Sequence, residues 1–319
     1  MSRALKSDPV AAIGSAPLDA AGISATVFCC VLWAGNTVAV KYTVPDLPPF
    51  GSAGLRFVLG LPVIAAACFK LGHGLRVPIK HAWLIVIHTI LTVLQIGTFT
   101  WGTSHGMAGR SSILVNVHPL VVAPLAWIFL GERMGRAGIA GLFAATLGIV
   151  ALMSNPVRGE PTWAGDIVVL LSGIILGVQT IAQKKTFHLI PPTTLLFAQT
   201  LFSIPLFFLQ SALVEGIDTY RFTERSCQGV LYQGVLVSGV CFTIWLVLLR
   251  RYPAARLSTV AFLTPIFGVA LASLIRGESL TIPLLAGGSL VGFGIYLVAA
   301  DRAAHVVKPE PELPGEDAP

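Results

Sequence analysis

Of 319 residues, 55% are hydrophobic and only 11% carry charge, against roughly 25% charged residues in a soluble domain. The chain therefore lacks the polar groups needed to cover a water-facing globule. Its net charge of +6 comes from lysines and arginines set singly or in pairs between apolar runs. No basic stripe with interleaved aromatics is present, so nucleic acid is excluded as a partner and the lipid bilayer takes its place.

Residues 1–19 form a polar tail. The apolar run over 20–40 is too long for a signal h-region and is expected to be retained. Further runs follow at 50–70, 82–103, 109–130 and 137–154, then at 164–184, 193–214, 228–249, 256–275 and 282–300. Each is close to the roughly 17–25 residues that cross ~30 Å of hydrocarbon. The fold class expected is all-α integral membrane, with ten transmembrane helices. The tail over 301–319 is rich in Pro, Glu and Ala and is expected to be disordered and cytoplasmic.

The ten runs are one unit written twice. Asn36-Thr37 recurs 143 residues later as Gln179-Thr180, Lys41 as Lys184, Leu47-Pro48-Pro49 as Ile190-Pro191-Pro192, Arg56 as Gln199 and Pro62 as Pro205. After a small insertion, Ser112 recurs as Ser258, Pro119 as Pro265, Gly131-Glu132 as Gly277-Glu278, Gly141 as Gly287 and Gly148 as Gly294. The repeats are 20–154 and 164–300. Five spans in each copy require the second to sit upside down relative to the first, the pattern of inverted-repeat secondary transporters. Most lysines and arginines, Lys70, Arg76, Lys80, Arg250 and Arg251 among them, fall in segments on the side of the N-terminus. Both termini are therefore expected to be cytoplasmic.

The five cysteines form no CxxC pair or metal-ligand spacing and read as small buried hydrophobes. No HExxH, GxSxG, Walker loop or GxGxxG opening a helix is present, so no catalytic residue, cofactor or metal is expected. The 15 Asp and Glu residues all fall in tails, loops or span ends, which weighs against an intramembrane carboxylate as a coupling group. Histidine remains available for that role.

Uncharged polar residues line helical faces inside the spans. Trp33 and Asn36 share a face of the first. His88, Thr92, Gln95 and Phe99 share one of the third, and Ser112, Asn116 and Pro119 one of the fourth. Ser172, Leu176, Gln179 and Gln183 do the same on the sixth, and Ser238, Phe242 and Trp245 on the eighth. Such residues either bond neighbouring helices or contact a ligand; converging, they would enclose a cavity near the midplane. Arg56 is the only basic residue well inside a span, either bonded to helix-end carbonyls or contacting an anion. Pro119, after His118, is expected to kink the fourth span, and Pro265 the ninth. The candidate substrate-binding set is Trp33, Asn36, Arg56, His88, Gln95, Asn116, His118, Gln179 and Trp245. Small-residue faces at Gly138, Gly141, Ala145 and Gly148, and at Gly287, Gly288 and Gly292, suit close helix packing within a monomer or across a homodimer.

Trp33-Ala34-Gly35-Asn36, Leu47-Pro48-Pro49 and Leu55-Arg56-Phe57 resemble the opening of an EamA-type repeat. His118-Pro119 and Leu130-Gly131-Glu132 with Gly141 and Gly148 resemble its close, and Leu263-Thr264-Pro265 and Arg276-Gly277-Glu278 repeat that close. The second copy departs at Gln199 and Leu176, where the first has Arg56 and Trp33. The resemblance implies the drug/metabolite transporter superfamily and alternating access by rocking helix bundles. The first four helices of each repeat would line the cavity and the fifth and tenth would lie peripheral. That superfamily includes exporters of amino acids and related metabolites, which fit a mostly neutral cavity, and the reading goes with the cell inner membrane. Sugar-phosphate or nucleotide-sugar exchange and lipid-linked flipping are the alternatives within the superfamily; an intramembrane enzyme is the alternative outside it.

Overall fold

A computed structural model describes residues 18–130, 135–153, 162–216, 219–252, 257, 260–261 and 263–306. The Gly131-Glu132 turn, Ser258 and most of both tails lie outside that set.

Helix α1 (Ala20–Thr43) starts where the Asp19 carboxylate accepts from the Gly22 N–H at 2.7 Å, and α2 (Pro49–Lys70) starts with Pro at its first position. A 3₁₀ turn leads into α3 (Ala82–Ser104), followed by α4 (Ala108–Val115), α5 (His118–Leu130) and α6 (Arg136–Met153). The second half holds α7 (Thr162–Thr186), α8 (Pro192–Val214) and α9 (Glu224–Leu231). A π-helical segment (Tyr232–Cys241) joins α9 to α10 (Phe242–Arg251); α11 (Leu263–Arg276) and α12 (Ile282–Val306) complete the chain. The described residues contain no strand.

Six helical runs are long and apolar enough to cross a membrane: α1, α2, α3 with its 3₁₀ lead, α7, α8 and the continuous run Glu224–Arg251. Three shorter apolar helices accompany them in α6, α11 and α12. Phe28, Trp83, Phe143, Leu213 and Leu274 are exposed on helix exteriors, as lipid contact requires.

The fourth expected span is interrupted rather than kinked. Pro119 has no N–H to return to the Val115 carbonyl, and the chain turns at Asn116-Val117, where Asn116 N bonds Ile113 O and Val117 N bonds Leu114 O. The Asn116 amide folds back onto the Ser112 carbonyl at 2.7 Å. For Pro265, the residue before Leu263 lies outside the described set, so no matching break is assigned.

Two pairs of helices, α2 with α8 and α6 with α12, run antiparallel. Glu215, beyond the end of α8, accepts from the Phe50 and Gly51 N–H groups at the start of α2, at 3.0–3.3 Å. At the other end, Thr194 at the start of α8 donates to the carbonyl of Gly74, beyond α2. In α6 and α12, a Cβ on Gly141 would fall 2.6 Å from the Gly294 carbonyl, and one on Gly148 would fall 2.7 Å from that of Gly287. Each glycine thus meets the counterpart of the other. Exchanging the halves also maps the packing of α1 on α11 onto that of α7 on α4 and α5.

The linker after α2 carries a pH-sensitive clamp. His73 Nδ1 lies 2.7 Å from Thr193 Oγ1 and its Nε2 lies 3.1 Å from Arg250 Nη1. Arginine only donates, so Nε2 accepts and Nδ1 carries the proton given to Thr193. Burial first, then the Arg250 charge, holds this imidazole below its usual 6.5. The unfolded chain therefore takes up the proton first as pH falls, and the clamp contributes stability above about 6.5 that is lost on acidification. Thermal unfolding should shift downward between pH 7 and 5, and His73→Gln should remove part of that shift. An unchanged pH profile in the variant would refute the clamp.

Candidate functional site

Eight helical elements converge on a cavity of about 170 Å³, room for a small solute or roughly half a dozen waters. Its wall comes from α1, α2, α3, the α4–α5 turn, α7, α8, α10 with its π-helical lead, and the segment entering α11. Among the described residues, α6 and α12 contribute nothing to it and pack chiefly on each other.

Eight of the nine candidate residues line the cavity: Trp33, Asn36, Arg56, Gln95, Asn116, His118, Gln179 and Trp245. His88 does not. It sits one turn below Thr92 on the same face of α3, but its Nε2 lies 2.9 Å from Thr186 Oγ1, which ties α3 to the end of α7. Helical periodicity placed it on the correct face and could not register that α7 covers that turn.

Several of the polar groups are already engaged between helices. Gln95 donates to Ser172 at 3.0 Å and accepts a bond from it through its backbone carbonyl; Gln179 donates to Thr92 at 2.9 Å. These bonds lock α3 onto α7 and define one wall. Another part of the lining is aromatic: Trp33 and Trp245 meet edge-on, with centroids 4.9 Å apart and planes at 71°. This geometry suits the ring quadrupoles and leaves both indoles half-buried at the cavity surface. Two carbonyl acceptors at the cavity, Asn36 Oδ1 and Gln199 Oε1, are buried without a hydrogen bond.

Arg56 is fully buried. Its Nε donates to Ser238 Oγ at 2.9 Å, whereas Nη1 and Nη2 have no acceptor in the protein. Helix-end carbonyls do not hold it. The rings of Phe57 and Phe242 lie 5.8 and 5.9 Å from the guanidinium carbon and flank it as cation–π partners. Ser238 comes close because Gly60 and Gly234 bring α2 and the π-helical segment into backbone contact, a Cβ on Gly60 falling 2.9 Å from the Gly234 carbonyl. Arg56 is the only permanently charged residue in the described lining, which contains no Asp or Glu. Lys41 stands apart, donating to the Ser104 carbonyl at 3.1 Å.

Sequence reasoning missed three features. Phe57 and Thr264 join the lining without belonging to a polar stripe. The π-helical segment has no signature in apolar periodicity. A buried ion pair between Arg110 and Asp166 joins the first turns of α4 and α7; both residues read as span-end charges because their pairing is tertiary.

The chain is similar to known proteins over most of its length. The model of the EamA-like transporter family matches residues 20–154 and 163–300. A probable amino-acid metabolite efflux pump of Salmonella typhimurium is 28% identical, over 84% of this chain and 91% of that protein. A probable terminal-alkyne amino-acid exporter of Streptantibioticus cattleyicolor is 29% identical, over 86% and 92%. An uncharacterized transporter of Bacillus subtilis is 22% identical, over 84% and 92%. One solved crystal structure superposes with a TM-score of 0.66 at 19% identity, covering 87% of this chain and 97% of that one. It shares the fold.

Proposed function

The chain belongs to the EamA-like transporter family, and from that premise we propose that it exports small amino-acid-like metabolites by alternating access. It would do so from the cell inner membrane, as ten spans in two inverted five-helix repeats with both termini cytoplasmic. The antiparallel course of α2 against α8 and of α6 against α12 supports the inverted arrangement. The observation that carries the functional reading is the central cavity, built from both halves, neutral and aromatic except for Arg56. A sugar-phosphate or nucleotide-sugar exchanger would need several cations around a multiply charged anion, and the described lining supplies one. The names of two relatives point to amino-acid-related cargo.

Counterflow in proteoliposomes against a pooled metabolite panel, with and without a pH gradient, tests this reading. Asn36→Ala and Trp245→Ala should each lower flux about tenfold, equal to ~1.4 kcal/mol, with unchanged gel-filtration profiles. Asn36 Oδ1 has no partner in the fold, so its removal should act on the cargo more than on stability. Wild-type flux in both variants would discard the site.

A further inference from the structure

We propose that the Arg56 fork binds the carboxylate of a zwitterionic cargo, an α-amino acid with an apolar side chain; this rests on the small-metabolite reading above. The guanidinium is fully buried, with only Nε engaged, on Ser238. Its two terminal nitrogens carry four N–H bonds and meet no acceptor. A buried cation without a counterion is strongly disfavoured, and no carboxylate of the described lining compensates it. The planar fork matches a carboxylate with two parallel hydrogen bonds. Ser238 on one edge and the rings of Phe57 and Phe242 beside it fix the plane and leave the outer edge free.

The remaining lining fits the rest of such a molecule. Asn36 Oδ1 and Gln199 Oε1 are buried acceptors that can take ammonium hydrogens, where a carboxylate there would instead neutralise Arg56. Gln199 occupies in the second half the position Arg56 holds in the first, and α2 packs on α8. The duplicated pair thus presents a donor fork from one half and an acceptor from the other, which gives a pseudo-symmetric cavity a polarity. The Trp33–Trp245 edge offers an apolar side chain a surface. A phosphate dianion would meet a single cation, with Lys41 engaged at Ser104.

The test is counterflow of amino acids, each paired with its C-terminal amide, by wild type, Arg56→Gln and Arg56→Lys in the same liposomes. An amide keeps the ammonium and side chain and loses only the anion. Wild type should favour acid over amide by about tenfold or more, the scale of a charge-assisted bond. Arg56→Gln should bring the ratio to about one while still carrying the amide, and Arg56→Lys should retain part of the preference. Equal transport of acid and amide by wild type, or an undiminished preference in Arg56→Gln, would overturn the proposal and leave the exporter reading standing. Transport of only uncharged panel solutes would do the same. No flux of any small solute would remove both. Should Arg56→Gln elute as aggregate, the wild-type ratio and Arg56→Lys still decide.

Discussion

Asp166→Ala is expected to destabilise the protein by about 3–5 kcal/mol, because it removes the buried carboxylate paired with the Arg110 guanidinium. Arg110 is 4% exposed and Asp166 fully buried, and the pair bridges α4 to α7. The same turn of α4 is held from the other side, where both Glu278 oxygens accept, at 3.0 Å each, from the N–H groups of Ala108 and Gly109. Losing Asp166 therefore unbalances a junction of α4, α7 and the turn before α12. Replacing both partners by apolar residues of similar volume, Arg110→Met with Asp166→Leu, should recover most of the loss, since breaking such a pair costs far more than removing it whole. Thermal unfolding in detergent measures both. A double variant as unstable as Asp166→Ala would show that the charges themselves hold the junction. Neither residue lines the cavity, so a folded double variant should keep wild-type cargo preference.

The same pair shows where a linear reading of this chain stops. The duplication was legible because residues related by the fold, such as Gly141 with Gly287 and Pro62 with Pro205, stayed alike. The polar faces were legible because helical spacing alone puts Trp33 with Asn36 and Thr92 with Gln95. What escaped depends on which neighbour covers a given turn. His88 shares the face of Gln95 but is capped by Thr186, and Arg110 and Asp166 look like ordinary loop charges until α4 meets α7. The break at Asn116-Val117 exceeded the kink expected of Pro119 because the Asn116 amide satisfies the Ser112 carbonyl and stabilises the turn. The π-helical segment follows from close contact with α2 through Gly60 and Gly234, a tertiary demand with no local period.

Gly294→Leu should disrupt the seam between α6 and α12, again at a distance from the cavity. A Cβ at this position would fall 2.5 Å from the Gly141 carbonyl and 2.6 Å from Ala145 Cβ, so backbone has to move. Overpacking of this kind costs about 1–3 kcal/mol, and here α6 and α12 would be forced apart along a seam where Gly148 and Gly287 also touch. The small-residue faces read from the sequence are thus occupied within the chain: Gly287 faces Leu152 and Gly148, and Gly288 faces Ile113. Gly294→Leu should lower the unfolding temperature in detergent while the folded fraction keeps the wild-type acid-to-amide ratio, because neither helix reaches the described lining. Arg56→Gln should do the reverse, abolishing the ratio with little change in unfolding temperature. A shifted ratio in Gly294→Leu would mean that the peripheral pair sets the shape of the cavity and is not a separate buttress. The two variants together separate what holds the halves together from what selects the cargo.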